Sequence, residues 1–86
     1  MTAANGTAGP AGAPRYVAQG TDDTIVRPAV TADFVAGLCR SGAVVRYEPF
    51  PGAGHARAGR ISATAAIQWM KARFDGDPAP NTCPPF

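Results

Sequence analysis

The sequence predicts a small α/β fold in the order strand, helix, strand, helix, closed by a proline-rich C-terminal strap. Three observations lead to this prediction. A short β-type segment runs into a cluster of turn residues, an amphipathic helical pattern follows, and a β-branched and aromatic run then stops at Pro51-Gly52. Residues 1–14 are Ala, Gly, Thr and Pro-rich without periodicity, so we expect a flexible lead-in there and a folded unit over 15–86.

The first strand is predicted over Arg15–Gln19, because the turn cluster Gly20-Thr21-Asp22-Asp23 follows it directly. The first helix is predicted to begin near Pro28, which suits a first helical turn, and to end at Gly42. Apolar residues at i, i+4 and i+8 give it about three turns and a buried face. These residues are Val30, Phe34 and Leu38.

The second strand is predicted over Val44–Phe50, and strands joined through a helix normally lie parallel. A second helix is predicted from an N-cap at Ser62 to a point near Gly76. The tail, Asp77 to Phe86, holds four of the nine prolines, which favours an extended strap. The second helix is expected to bury one face, formed by Ile67, Trp69, Met70 and Phe74.

Composition limits the function classes. The formal net charge is only +2, and no Lys/Arg run is interleaved with aromatic residues, so a nucleic-acid partner is not expected. No apolar stretch approaches the roughly 20 residues that span a bilayer, so we expect a soluble protein without a membrane span. Residues 1–14 also lack the basic and apolar regions of a secretory signal.

Asp23 and His55 are the candidate catalytic pair. In a parallel strand–helix–strand unit, the loops after the two strands meet at one edge of the sheet, and ligand sites gather there. A nucleophilic hydrolase needs a base to take a hydroxyl proton and a carboxylate to fix the imidazole tautomer. The alternative is a surface histidine beside two turn-forming aspartates, Asp22 and Asp23, whose side chains bond nearby amides.

Two short segments carry a resemblance to a known family. Gly20-Thr21-Asp22-Asp23-Thr24-Ile25-Val26 resembles the loop that bears the catalytic acid in α/β-hydrolases, and Pro51-Gly52-Ala53-Gly54-His55 resembles their histidine loop. With Leu38-Cys39-Arg40-Ser41-Gly42, Arg73-Phe74-Asp75-Gly76 and Ala79-Pro80-Asn81-Thr82-Cys83, the chain from Arg15 onward resembles the secretory lipases. The resemblance implies the last strands and helices of an α/β-hydrolase fold and a secreted parent protein. It also implies that Asp23 is the triad acid and His55 the triad histidine.

The two cysteines, Cys39 and Cys83, have no Cys or His spaced for zinc, and a disulfide is the natural interpretation. Cysteines at these places are joined in the secretory lipases that the chain resembles. Two thiols in a reducing cytosol are the alternative. A metal-dependent hydrolase is not expected, because one His and two neighbouring Asp are too few ligands, and no cofactor is predicted.

The triad's nucleophile is missing from the sequence. No Gly-x-Ser-x-Gly occurs, and we expect Ser41 at a helix end and Ser62 at an N-cap. The leading hypothesis is therefore a C-terminal fragment of a secreted serine lipase or esterase that is inactive alone. An ester or lipid would bind only when another segment supplied the serine. The alternative is a non-catalytic interaction module or inert remnant that self-associates through exposed sheet edges.

Overall fold

The computed structural model describes residues 13–84, so nearly all of the lead-in predicted over 1–14 lies outside the described residues. Its elements are β1 (Arg15–Gly20), α1 (Pro28–Arg40), β2 (Val45–Phe50) and α2 (His55–Phe74). The predicted α/β class and the order strand, helix, strand, helix are thus confirmed. No helix within the described range is both long and apolar enough to cross a membrane.

The two strands pair in parallel, as the helix between them predicts, with Arg15 opposite Val45 and Gly20 opposite Phe50. The backbone N–H of Arg15 donates to Val44 O at 3.0 Å at one end of the ladder. The C-terminal ends of both strands therefore lie at the same end of the sheet, and the loops that follow them lie side by side.

Helix α1 begins and ends as predicted. Pro28 occupies its first turn, preceded by Arg27 in an extended conformation of the kind that the residue before a proline adopts. At the other end Gly42, with a φ of 90°, donates to Cys39 O at 3.0 Å. Only a residue without Cβ adopts that backbone at little cost, which is why the helix stops there.

The buried face of α1 lies one residue away from the predicted one. Val30 and Phe34 are exposed and Leu38 is only partly buried, so the prediction was wrong for this helix face. The prediction selected the largest apolar side chains, whereas two of the three buried positions hold a threonine and a half-cystine. The buried residues are Thr31, Val35 and Cys39.

The core lies between α1 and the sheet. Val45 is completely buried at its centre, and Val35, Cys39 and Ala43 surround it. Cys39 is joined to Cys83 by a disulfide with the two Cα atoms 5.6 Å apart, so the cysteine pair predicted from the sequence is bonded. The bond fixes the C-terminal tail against the core formed by α1 and β2.

Helix α2 begins at His55, seven residues before the N-cap predicted at Ser62. Ser62 lies inside the helix, where its hydroxyl donates to Gly59 O at 3.3 Å, so its assignment as an N-cap was wrong. The first two turns carry small residues such as Ala58, which packs against the sheet without a large apolar side chain. Hydrophobic periodicity therefore gave no sign of them. The helix ends near Gly76, as predicted.

The apolar face predicted for α2 is not a core. Phe74 is 91% exposed, Ile67 62% and Met70 47%, while Trp69 is partly buried beside Tyr16, with the ring centroids 6.0 Å apart. The physical reason is length. Twenty residues of helix extend about 30 Å, whereas the six-residue strands extend about 20 Å, so the last turns pass beyond the sheet.

The two edges of the sheet differ. Along β2, Val45 O accepts hydrogen bonds from Thr82 N at 2.8 Å and Thr82 Oγ1 at 3.0 Å. Tyr47 N donates to Thr82 Oγ1 at 2.9 Å, and the next outward-facing residue, Pro49, has no N–H. The tail thus covers the β2 edge, whereas no strand within residues 13–84 pairs with the outer edge of β1.

Candidate functional site

Asp23 lies in the loop of residues 21–27 between β1 and α1, which we call the acid loop. One of its carboxylate oxygens, Oδ1, accepts hydrogen bonds from the backbone N–H groups of Ile25 and Val26, each at 2.8 Å. This is the local turn that an aspartate forms with the amides that follow it. The turn-forming role considered for Asp23 is real, but it uses only one of the two oxygens.

The other oxygen, Oδ2, lies 2.8 Å from Nδ1 of His55. His55 is the first residue of α2 and follows the turn of residues 51–54, which we call the histidine loop. The Asp23 side chain is 6% exposed and that of His55 is 51% exposed. The structure therefore brings the two predicted site residues together, with the carboxylate inside and the imidazole at the surface.

The electrostatics favour an ionised Asp23. Burial by itself raises the pKa of this carboxyl, but the hydrogen bonds from Val26 N, His55 and Ile25 N outweigh burial and hold it below its ordinary value. An ionised carboxylate can only accept hydrogen bonds, so the proton between the two side chains lies on Nδ1 of His55. In a neutral imidazole with its proton on Nδ1, the lone pair is on Nε2.

Asp22, the neighbouring carboxylate, has a different position. Its side chain is exposed, while its backbone N–H donates to Ala53 O at 3.0 Å. The spacing Gly-Thr-x-Asp favours Asp23 over Asp22, and the contact with His55 is made by Asp23.

Hydrogen bonds of Thr21 hold the acid loop beside the end of β2 and the histidine loop. Thr21 N donates to Phe50 O at 3.1 Å, and Gly52 N donates to Thr21 Oγ1 at 2.7 Å. Gly20 packs beneath the Ala53 carbonyl so closely that an added Cβ would overlap it. Sequence reasoning missed this contribution of Gly20 and Thr21, although both belong to the motif quoted for the acid.

An open cleft of about 360 Å³ adjoins the pair. Its floor is β1, and its walls come from α1 and α2, including Phe34 on one side and Ala58 and Gly59 on the other. Because parallel strands alternate the direction of their backbone groups, Tyr16 and Ala18 turn their N–H and C=O away from β2, toward this open side. The cleft thus combines apolar walls with strand backbone that has no partner strand among the described residues.

The hydroxyl groups of both serines considered as nucleophiles bond to carbonyl groups of their own helices and not to His55. Ser62 lines the same cleft but lies seven residues along α2, about 10 Å by helical rise. Ser41 follows the end of α1, as predicted, and its hydroxyl donates to Leu38 O at 2.7 Å. Helix α1 ends near the start of β2, so Ser41 lies at the end of the sheet where the strands begin, whereas the pair lies where they end.

The disulfide of Cys39 and Cys83 lies in the core, apart from the cleft. Across residues 13–84, no three His, Cys, Asp or Glu side chains are grouped so that they could hold a metal ion. The Asp23–His55 pair gives the cleft an imidazole that a carboxylate orients, and such a group can transfer protons.

Comparison with known proteins finds no family model, no curated protein and no solved structure that matches this chain.

Proposed function

We propose that this chain supplies the acid and the histidine of a serine-type carboxylic ester hydrolase, as the last part of an α/β-hydrolase fold closed by the proline-rich strap. The observation that supports this most is the 2.8 Å contact between Asp23 Oδ2 and His55 Nδ1, with the imidazole half exposed. The proposal includes a secreted parent protein, and the Cys39–Cys83 disulfide is compatible with that compartment.

In this proposal His55 acts through Nε2. Asp23 accepts the Nδ1 proton and so leaves the Nε2 lone pair free to take a proton from a serine hydroxyl as it attacks an ester carbonyl. His55 then returns that proton to the leaving alcohol, and Asp23 stabilises the imidazolium between the two steps. The hydroxyl and the oxyanion-hole donors come from a segment outside these 86 residues.

The tautomer of His55 tests the acid–histidine pair directly. Two-dimensional ¹⁵N spectra, recorded at a pH where the imidazole ring is neutral, should show the ring proton on Nδ1 in the wild type. Asp23→Asn should lose this preference, because an amide does not attract the Nδ1 proton as a carboxylate does. Asp22→Asn is the matched control and should leave the tautomer unchanged. A wild-type His55 with its proton on Nε2 would refute the proposed role.

A second experiment tests whether the chain has its own nucleophile. Intact mass after treatment with a fluorophosphonate should show no adduct, and the same spectrum should show the mass deficit of the disulfide. A stoichiometric adduct on Ser41 or Ser62 would show instead that this chain is a complete esterase.

A second candidate function is an interaction module. The outer edge of β1, with which no strand of residues 13–84 pairs, favours it. The backbone groups of Tyr16 and Ala18 lie on the side of β1 away from β2, and an exposed strand edge is a template for pairing with another strand. Large apolar side chains also remain exposed on the loop and both helices. They include Ile25, Val26, Val30, Phe34, Ile61, Ile67, Met70 and Phe74.

Self-association through this edge is tested by substitution at one outward-facing residue. Proline at Ala18 removes the N–H that would pair with a second strand and leaves the donors toward β2 in place. Sedimentation should show a dimer for the wild type and for Ala18→Ser, and a monomer for Ala18→Pro. A wild type that stays monomeric with a sharp thermal transition would argue against this function.

A further inference from the structure

The end of β1 carries a buried polar side chain, Gln19, which the mechanism above does not use. It is 4% exposed, and a buried amide is costly unless its donors and acceptor are paired. Here they are paired. Nε2 donates to Gly20 O at 2.8 Å and to Val26 O at 2.9 Å, while Oε1 accepts from Thr31 Oγ1.

These bonds fix the orientation of the Gln19 amide. Two carbonyl oxygens can only accept, so the group that faces both must be the NH₂, and the oxygen must face the hydroxyl of Thr31. The side chain thus joins β1, the end of the acid loop and the first turn of α1. No other residue type combines two donors and one acceptor at this reach and stays uncharged.

The Val26 bond connects Gln19 to the candidate site. The backbone carbonyl of Val26 accepts from Gln19, while the backbone N–H of the same residue donates to Asp23 Oδ1 at 2.8 Å. The other oxygen of Asp23 holds His55. A series of four hydrogen bonds therefore runs from Thr31 in α1 through Gln19, Val26 and Asp23 to His55.

We propose that Gln19 is the positioning residue of the acid loop, which holds Val26 where its N–H orients the Asp23 carboxylate toward His55. The inference rests on the proposed function, since it concerns the orientation of the same pair. Gln19 acts through Asp23 and does not touch the imidazole. Without it, the loop closes on Asp23 only through the aspartate's own turn, and the Oδ2 oxygen loses its fixed direction.

The test uses the full chain and the His55 tautomer. Gln19→Met keeps the length of the side chain but removes both donors and the acceptor, and Thr31→Val keeps the shape but removes the hydroxyl. Gln19→Met should lose the Nδ1–H preference as fully as Asp23→Asn does. Thr31→Val should lose part of it, and it decides the matter if Gln19→Met does not fold.

A matched control separates positioning from stability. Thr82→Val removes hydrogen bonds to the β2 edge, far from the acid loop, so it should lower the unfolding midpoint yet keep the wild-type tautomer. A folded Gln19→Met or Thr31→Val with the wild-type tautomer would overturn the inference alone. A wild type without Nδ1–H would instead refute the proposed function, so the two failures are distinguishable.

Discussion

Gly20 lies directly beneath the carbonyl group of Ala53, so that the last residue of β1, before the acid loop, touches the backbone of the histidine loop, which precedes His55. The Asp22 N–H bond to Ala53 O, at 3.0 Å, holds the same approach. The distance between Asp23 and His55 is therefore set by backbone packing between Gly20, three residues before Asp23, and Ala53, two residues before His55.

Gly20→Ala should break this approach. The new methyl group would overlap the Ala53 carbonyl and crowd Ala58, and overpacking of this kind costs about 1–3 kcal/mol. Gly59→Ala is the control, because Gly59 lies in α2 with open space around it. This variant should be more stable than the wild type by about 0.5–1 kcal/mol, since alanine favours a helix interior more than glycine does. Urea unfolding measures both. Equal midpoints for the two variants would contradict the close packing.

Acid stability should depend on Asp23. Its pKa is lowered in the folded chain, so the carboxylate contributes stability that is complete above the ordinary pKa of aspartate and is lost as pH falls through the folded-state pKa. Asp23→Asn should remove that dependence, while Asp22→Asn should keep it. Unfolding midpoints measured from neutral to strongly acidic pH test this. Parallel curves for wild type and Asp23→Asn would contradict it.

The hydroxyl group of Tyr16 should lose its proton at a higher pH than an ordinary tyrosine does. Burial and then the hydrogen bond from its hydroxyl to Glu48, at 2.8 Å, raise its pKa to about 12. Its contribution to stability is present below the ordinary tyrosine pKa and is lost as pH rises through the raised one. The tyrosinate absorbance of a Tyr47→Phe background, which leaves one tyrosine, measures the midpoint. Glu48→Gln should lower it, and an unchanged midpoint would rule out the role of the carboxylate.

Reduction of the disulfide should cost much of the stability. Cys39 and Cys83 are separated by 44 positions, and closing a loop of that length stabilises by about 4 kcal/mol in the chain-entropy model. Cys39→Ala/Cys83→Ala should show that loss in urea unfolding, and a reductant should reproduce it in the wild type. A loss below about 1 kcal/mol would mean that the hydrogen bonds of Thr82 hold the tail without the covalent bond.

The fold class and the closeness of Asp23 to His55 could be predicted because the signals for the strands, the helices and their ends are local. Turn residues and Pro28 mark where strands and helices begin and end, and the parallel unit brings the strand ends together. The approach of Asp23 to His55 follows from that topology.

The buried faces could not be predicted, because they depend on how much sheet is available. Periodicity marks Phe74 as a core position, but whether a helix face is covered depends on what lies beside it, and the described sheet has only two strands. Thr31 was missed for the opposite reason. A polar residue on a helix face indicates solvent unless its buried partner is known, and that partner, Gln19, lies 12 positions earlier.

The difference between the two sheet edges limits the assemblies that this chain can form. With Thr82 and Pro49 closing the β2 side, residues 13–84 offer one surface for strand pairing, the outer edge of β1. Two copies joined through that surface would face each other across a twofold axis and leave no strand to recruit a third, whereas fibres require two different complementary surfaces on each subunit. Growth by strand addition would therefore end at the pair.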